Sequence, residues 1–259
     1  MDVGSGCACG RSMVSRACRL FLLPLVVVAV GCASSDESSG DSSETSAGAA
    51  LSSEAYRIYG ELAREGGAAP APGSVTVLGL RGLSYQGEVH ETHYAHAFDD
   101  TVVVLRADGT VERFAASTHP FELDGVPGVP DVDGDRIADV GMIRPGVYDV
   151  AGRDRTIAGQ ASFAVTLHAT GAGKLPGWRD TDHDGVLTAA ERTASERRTD
   201  GLTDVLFHQG EGGAPAAVGC QILPASSIGA FTKAVGGARA RFRYVLVDVT
   251  GRDVTGLPR

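Results

Sequence analysis

The sequence contains few cysteines, few aromatic residues and no apolar run long enough to span a membrane. Of its 259 residues, five are cysteine and 6% are aromatic. The apolar run at 20–30 is shorter than the roughly 20 residues that a transmembrane helix needs. The formal net charge of −9 excludes the basic surface on which nucleic acid binding depends, so we expect no nucleic acid partner.

The first 31 residues have the organisation of an export signal. Three arginines precede the apolar run, which ends in the sequence AVGC. This ending resembles the lipobox of bacterial lipoproteins, which implies that residues 1–31 are a lipoprotein signal peptide and that Cys32 is lipidated. Because Ala33 follows, the resemblance also implies anchoring in the outer membrane, facing the periplasm. An ordinary signal peptide that is cleaved nearby is the alternative.

The next part of the chain predicts a tether and then one domain. Residues 34–53 are rich in serine and acidic residues and have almost no large apolar side chain, so they cannot offset the entropy of ordering. Apolar residues at helical spacing predict a short helix over 54–65. We therefore expect a disordered, serine-rich tether with a short helix at 32–73, and a single domain at 74–259.

Within this domain, short runs of β-branched residues alternate with turn signals, and helical periodicity is scarce. Asp108-Gly109 predicts a hairpin between the runs at 101–107 and 110–116. Helices are predicted at 188–198 and 226–235. The expected fold class is mainly β, sandwich- or barrel-like, with a few short peripheral helices. The other predicted strands are 74–80, 146–150, 162–168, 203–208 and 241–249.

Cys220 is the only cysteine of the predicted domain, so no intramolecular disulfide is possible there. It is either a reactive thiol or a buried, inert one. A predicted strand ends at His208, and an imidazole beside a cysteine both accepts the thiol proton and stabilises the thiolate. Gly219 leaves room for a substrate carbonyl, and it leaves backbone N–H groups, including that of Cys220, free to face an oxyanion. The candidate catalytic residues are Cys220, His208 and Gly219, with a thiol pKa below its ordinary value.

The segments FHQG at 207–210 and VGCQIL at 218–223 resemble the His…Gly-Cys signature of the L,D-transpeptidase catalytic domain. Further segments that resemble a divergent branch of that family are GLRG at 79–82, FDDTVVVL at 98–105, FAASTHP at 114–120 and PGVYDV at 145–150. The resemblance implies an L,D-transpeptidase-like β-sandwich in which Cys220 is the nucleophile and His208 the general base. The substrates it implies are peptidoglycan stem peptides.

Three positions depart from the common signature of this family, and the loop between the two candidate catalytic residues is shorter than usual. Ala217 and Val218 stand where Ser or Thr and then His usually precede Gly-Cys, and Gln221 replaces a basic residue. These departures leave open whether the domain catalyses transpeptidation, hydrolysis or no reaction at all.

The segment DTDHDGVLTAAE at 180–191 has the spacing of an EF-hand calcium loop. Carboxylates stand at positions 1, 3, 5 and 12, a glycine permits the sharp turn at position 6, and position 7 supplies a backbone carbonyl. The segment therefore predicts a structural calcium ion; the alternative is an acidic turn that caps the following helix. The predicted ligands are Asp180, Asp182, Asp184, Val186 and Glu191.

Two further groups of potential ligands have weaker patterns. The segment DVDGDRIAD at 131–139 has aspartates at positions 1, 3, 5 and 9 of such a loop, but Arg136 stands where glycine belongs. Calcium binding there is left open. His90, His93 and His96 suggest zinc, but their spacing matches no common zinc motif and a polar loop is preferred.

The sequence thus predicts a cell-envelope lipoprotein with cysteine acyl-transfer activity on peptidoglycan stem peptides, braced by calcium. The alternative is a non-catalytic, calcium-binding envelope lipoprotein. The oligomeric state is left open.

Overall fold

The structure is a computed structural model that describes residues 42–90, 97–119, 129–171, 173–210, 215 and 217–259, with side chains from residue 53 onward. The predicted signal peptide and Cys32 lie outside the described residues. No helix within the described ranges has both the length and the apolarity that a membrane crossing demands.

The described chain is built mainly from strands, which confirms the predicted fold class at this level. All seven predicted strand segments and both predicted domain helices are present. The helices are α1 (Ser42–Glu65), α2 (Ala189–Arg198) and α3 (Ile228–Ala234), and the strands are β1 (Thr76–Arg81), β2 (Asp100–Leu105), β3 (Val111–Ala116), β4 (Gly141–Ile143), β5 (Gly146–Gly152), β6 (Phe163–Leu167), β7 (Leu175–Arg179), β8 (Gly201–Leu202), β9 (Leu206–Gln209), β10 (Gln221–Leu223) and β11 (Arg241–Asp248).

Eight of the strands form one sheet that is nearly closed. Its order is β10-β9-β6-β5-β11-β1-β2-β3, with parallel pairing between β1 and β11 and between β9 and β10. The residue after β3, Ser117, exchanges two backbone hydrogen bonds of 2.8 Å with Ile222 of β10. These bonds join the two edge strands, so neither edge presents a continuous row of unpaired backbone groups.

The inner face of this sheet encloses an aromatic core. Phe231 of α3 stacks on Phe207 of β9, with ring centroids 5.6 Å apart, and meets Phe114 of β3 edge-on at 5.7 Å. Tyr244 and Phe242 of β11 complete the cluster. Helix α3 therefore supplies the apolar side chains that fill one end of the interior.

The outer face of β1, β2 and β11 is covered by α1, which explains why β1 and β2 are buried at every position. Tyr59 and Ala63 of α1 are fully buried against these strands. The predicted helix at 54–65 is confirmed, but it begins at Ser42, inside the segment predicted to be disordered. Ala47, Ala49 and Ala50 have high helix propensity, whereas Gly48 and the preceding Ser and Thr residues do not favour this extension.

A small second sheet, in the order β4-β7-β8, was not predicted. Strand β7 contains Pro176 and Gly177, which are both unfavourable in strand interiors, and β4 and β8 are very short. Together with α2, this sheet buries a separate apolar cluster of Met142, Trp178 and Leu187. It carries the two acidic loops.

A fully buried arginine joins three of the segments that carry the family resemblance. Arg81 of β1 donates to the side chain and the carbonyl of Thr118, both at 2.9 Å, and to the carbonyl of Ile143 in β4 at 2.9 Å. The Asp100 carboxylate of β2 accepts from the N–H and the hydroxyl of Thr118, both at 2.7 Å. Burial lowers the pKa of the Arg81 guanidinium, and the Asp100 charge opposes that shift.

We expect Arg81→Met to lower the free energy of unfolding by about 3–5 kcal/mol, because it leaves the buried Asp100 charge uncompensated. Chemical denaturation measures this. The double variant Arg81→Met/Asp100→Asn should recover part of the loss, and Arg57→Met, at an exposed ion pair of α1, should change little. Equal stability of wild type and Arg81→Met would contradict the compensating role of Arg81.

Candidate functional site

The structure places His208 and Cys220 on neighbouring parallel strands. His208 lies in β9 and pairs in register with Ile222 of β10, two residues after Cys220. Because side chains alternate along strands, Cys220, Ile222 and His208 share one face of the sheet, and Phe207 and Gln221 face the core. The pairing of β9 with β10 is thus what brings the two predicted catalytic residues to the same region.

The tautomer of His208 follows from one short hydrogen bond. Its Nδ1 lies 2.7 Å from the backbone carbonyl of Gln209, and a carbonyl only accepts. Nδ1 therefore carries the proton, and Nε2 carries the lone pair in the neutral ring. The group that orients His208 is a backbone oxygen, which the sequence alone does not reveal. This arrangement is the one that a general base requires.

The thiol of Cys220 contacts backbone rather than the imidazole. Its Sγ lies 3.4 Å from the N–H of Leu206 and 3.9 Å from the carbonyl of Asp204. Burial raises the pKa of the Cys220 thiol to about 11, although the Leu206 N–H favours the thiolate. The pKa of this thiol is thus shifted in the direction opposite to the predicted one, because desolvation outweighs the single donor.

Gly219 is needed for packing as well as for backbone conformation. Its φ of 126° lies in the region that favours glycine, and a Cβ there would lie 2.4 Å from Cδ2 of Leu202. The side of Gly219 that was predicted to stay open for a substrate is thus filled by Leu202. Gln221 is fully buried and accepts a 2.7 Å hydrogen bond from the hydroxyl of Tyr244, which anchors the backbone next to Cys220.

Cys220 lines a cleft of about 520 Å³ between the large sheet and the small one. Lys174 and Arg179 contribute positive charge to its walls. Arg179 donates to the carbonyls of Asp139 at 2.9 Å and Gly201 at 2.8 Å, so it fixes one wall by hydrogen bonds to backbone. The remaining lining residues are Val129, Pro130, Leu202, Thr203, Asp204, Val205 and Val218.

The predicted calcium loop brings three carboxylates together. Oxygens of Asp180, Asp182 and Asp184 lie within 4.8 Å of one another. Asp180 accepts from the N–H of Gly185 at 2.9 Å, and Asp184 accepts from the N–H of Val186 at 2.7 Å. Burial and the neighbouring negative charges raise the pKa of Asp180 to about 6. A bound cation would offset this repulsion, and protons would compete with it below about pH 6.

Glu191, the predicted ligand at position 12, accepts hydrogen bonds from the loop and from the start of α2. Its Oε2 accepts from the N–H and the hydroxyl of Thr188, both at 2.8 Å, and its Oε1 accepts from the N–H of Thr181 at 2.7 Å. With the bond from the Glu191 N–H to Thr188, this is a capping box at the start of α2. Glu191 thus caps the helix in this structure, as the alternative interpretation states for this residue, and is not in the cluster of three aspartates.

The second acidic segment lies beside the first. His183 connects them, because its Nε2 lies 3.2 Å from Oδ2 of Asp135. Oxygens of Asp131, Asp133 and Asp139 also lie within 4.8 Å of one another. Of the three histidines considered for zinc, His93 and His96 lie outside the described residues.

The comparisons with known proteins add nothing to this geometry. The chain matches no protein-family model, no curated protein and no solved structure. The interpretation of the site therefore depends on its residues and their contacts.

Sequence reasoning missed two groups at the site, Arg179 and the Gln209 carbonyl. Arg179 directly precedes the acidic loop and ends a buried strand, which is a weak but visible signal. The role of the Gln209 carbonyl depends on backbone direction at the end of β9, for which the sequence contains no signal.

The raised pKa predicts how Cys220 responds to pH. A raised pKa favours the neutral thiol, so alkylation by iodoacetamide should accelerate about tenfold per pH unit from pH 7 to pH 10. The rate for a free cysteine peptide should instead level off above its pKa of about 8.5. Mass spectrometry of samples quenched at successive times gives the alkylation rates of the protein and of the peptide. A plateau below pH 8 in the folded protein would show a thiolate that this structure does not contain.

Proposed function

We propose that this protein is a cysteine acyltransferase of the bacterial cell envelope, with Cys220 as nucleophile and His208 as general base. The observation that carries the proposal is the 2.7 Å contact between His208 Nδ1 and the Gln209 carbonyl, on the strand next to Cys220. This contact assigns the proton to Nδ1 in the neutral ring, and the pairing of β9 with β10 places His208 on the strand next to Cys220. The L,D-transpeptidase-like sandwich is part of the same proposal.

The proposed reaction begins when Sγ of Cys220 exchanges its contact with the Leu206 N–H for the imidazole of His208. Nε2 takes the thiol proton as Sγ attacks the substrate carbonyl, and backbone N–H groups at 219–220 receive the oxyanion. Collapse of the adduct breaks the C–N bond, and the imidazolium returns the proton to the leaving amine. The resulting thioester passes to an acceptor amine or to water.

Because the resting thiol is neutral, the base must remove its proton during the attack rather than before it. A neutral, partly buried thiol also resists oxidation until a substrate enters the cleft. Because the pKa of Cys220 is raised, the proposed reaction depends on proton removal by His208. A variant of His208 is therefore the best test of the proposed mechanism.

The cleft suits a peptide that carries carboxylates. Lys174 and Arg179 line it on the side of the small sheet, where an anionic group would gain charge-assisted hydrogen bonds. Peptidoglycan stem peptides carry such groups beside the scissile amide. The lipobox-like sequence at the N-terminus supports an envelope location, with the outer membrane as the site of the lipid anchor.

We expect purified protein to release D-alanine from, or to cross-link, stem tetrapeptides, as measured by mass spectrometry of the products. Cys220→Ala should abolish the products, and His208→Asn should lower the rate by about 10²–10⁴-fold because the general base is lost. His168→Asn is the matched control, since His168 is an exposed histidine paired with Asp149 on β5. Product formation by Cys220→Ala, or none by the wild type, would refute the proposal.

A second candidate function is a non-catalytic, calcium-binding envelope protein. Two observations favour it: the pKa of Cys220 is raised to about 11, and the loop at 180–191 already has its three aspartates gathered. On this interpretation the ion braces the connection between β7 and α2, and Cys220 packs as a small apolar residue.

Calcium should raise the thermal stability of the protein, because a ligand of the folded state contributes about 2.7 kcal/mol at a hundredfold excess over its Kd. For a domain of this size, that corresponds to roughly 5–10 °C in Tm. Asp184→Asn should reduce the difference between calcium and chelator. Asp253→Asn is the matched control: both aspartates accept from the N–H two residues later, but Asp253 lies outside the cluster. Identical melting curves with calcium and with chelator would exclude a stabilising ion.

A further inference from the structure

Residues 131–136 share two left-handed backbone positions and one hydrogen bond with residues 180–185, despite the poorer sequence match. At position 4 of each loop, Gly134 and His183 have φ values of 91° and 60°, and at position 6, Arg136 and Gly185 have 78° and 79°. Asp131 accepts from the N–H of Arg136 at 2.9 Å, as Asp180 does from Gly185. Arg136 thus adopts the left-handed conformation that the sequence pattern reserves for glycine. This resemblance describes a loop and does not by itself indicate an ion.

The indication of a ligand comes from Asp139. Its side chain is 0% exposed, and its Oδ1 is buried with no hydrogen-bond partner among the described residues. The other oxygen, Oδ2, accepts from the N–H of Val132. Burial of a carboxylate oxygen without a donor costs free energy, which natural proteins avoid by pairing the charge or by binding a metal. The Asp139 carboxylate also belongs to the cluster with Asp131 and Asp133.

The nearby imidazole of His183 does not donate a hydrogen bond to this oxygen. Nε2 of His183 lies 3.9 Å from Oδ1 of Asp139, beyond hydrogen-bond distance, and 3.2 Å from Oδ2 of Asp135. The imidazole is thus engaged by Asp135, at the edge of the cluster.

We propose that the Asp131–Asp139 loop is a second divalent-cation site, with Asp131, Asp133 and Asp139 as ligands. All three supply carboxylate oxygens, the ligands that calcium prefers. In this loop Asp139, at position 9, would supply the third carboxylate ligand. The EF-hand pattern takes its last ligand from a glutamate at position 12, in a following helix. This loop is followed by β4 instead, so it scores poorly against that pattern even though its aspartates are gathered.

The fold explains why the two acidic loops lie together. Strands β4 and β7 are antiparallel, with Gly141 opposite Arg179, so the loop that enters β4 meets the loop that leaves β7. The Asp180 N–H donates to the carbonyl of Val140 at 3.1 Å. Because Pro130 also lines the Cys220 cleft, an ion at the second site would fix part of that wall.

Calcium stoichiometry tests this inference independently of any activity of Cys220. Equilibrium dialysis of the full chain with radioactive calcium should give two bound ions per wild-type chain. Asp139→Asn and Asp184→Asn should each bind one ion, and the double variant Asp139→Asn/Asp184→Asn should bind none. Asp139→Asn keeps the shape of the side chain and an acceptor for Val132. Asp133→Asn, at an exposed position, repeats the test where misfolding is not expected.

Asp253→Asn should retain both ions. One ion in the wild type that survives Asp139→Asn and Asp133→Asn would overturn the second site while supporting the first. One ion that survives Asp184→Asn but not Asp139→Asn would show that only the second site binds, and no bound ion would exclude both. Arg136→Gly should keep two ions with an affinity at least equal to that of the wild type, since it relieves the left-handed conformation at this position.

Discussion

The buried guanidinium of Arg81 is the interaction on which the rest of the structure depends. It holds the backbone around Thr118 to β1 and to β4, and Asp100 holds the same backbone to β2. The residue before Thr118 forms the bridge to β10 that nearly closes the sheet. The position of β10, and hence of Cys220, is therefore defined through a polar network rather than by apolar packing alone. A charge buried to this degree is tolerated only because every arm of it has an acceptor.

The cleft contains a partly buried thiol, and a histidine lies on the neighbouring strand. The thiol lies where desolvation keeps it neutral, and the neighbouring histidine is held in the tautomer that accepts a proton. Arg179, which lines the cleft, donates to the carbonyl of Asp139, the last residue of the second acidic loop. The catalytic proposal and the cation sites therefore involve one continuous part of the molecule, built on the small sheet. A change in the conformation of the second acidic loop would therefore move the side chain of Arg179, and with it one wall of the cleft.

Strand positions could be predicted wherever β-branched residues alternated between turn signals, as in β2 and β11. The small sheet escaped prediction because Pro176 and Gly177 suppress the strand pattern, while tertiary pairing with β4 overrides it. Residue types at the site could be predicted, but three features could not: the tautomer of His208, the raised pKa of Cys220 and the capping role of Glu191. Each depends on the direction of a backbone group or on the amount of surrounding protein, which local sequence does not encode. The same holds for Arg136, which adopts a left-handed backbone conformation although residues with a side chain disfavour it.

The parallel pairing of β1 with β11 has a consequence for biogenesis. Strand β11 lies between β1 and β5, so the centre of the sheet stays open until residues 241–248 have been synthesised. During translation, the earlier strands expose two inner edges and the aromatic interior. A nascent chain in this state cannot complete its sheet before the last strand has been synthesised, so folding of this sheet depends on contacts between residues that are far apart in the sequence.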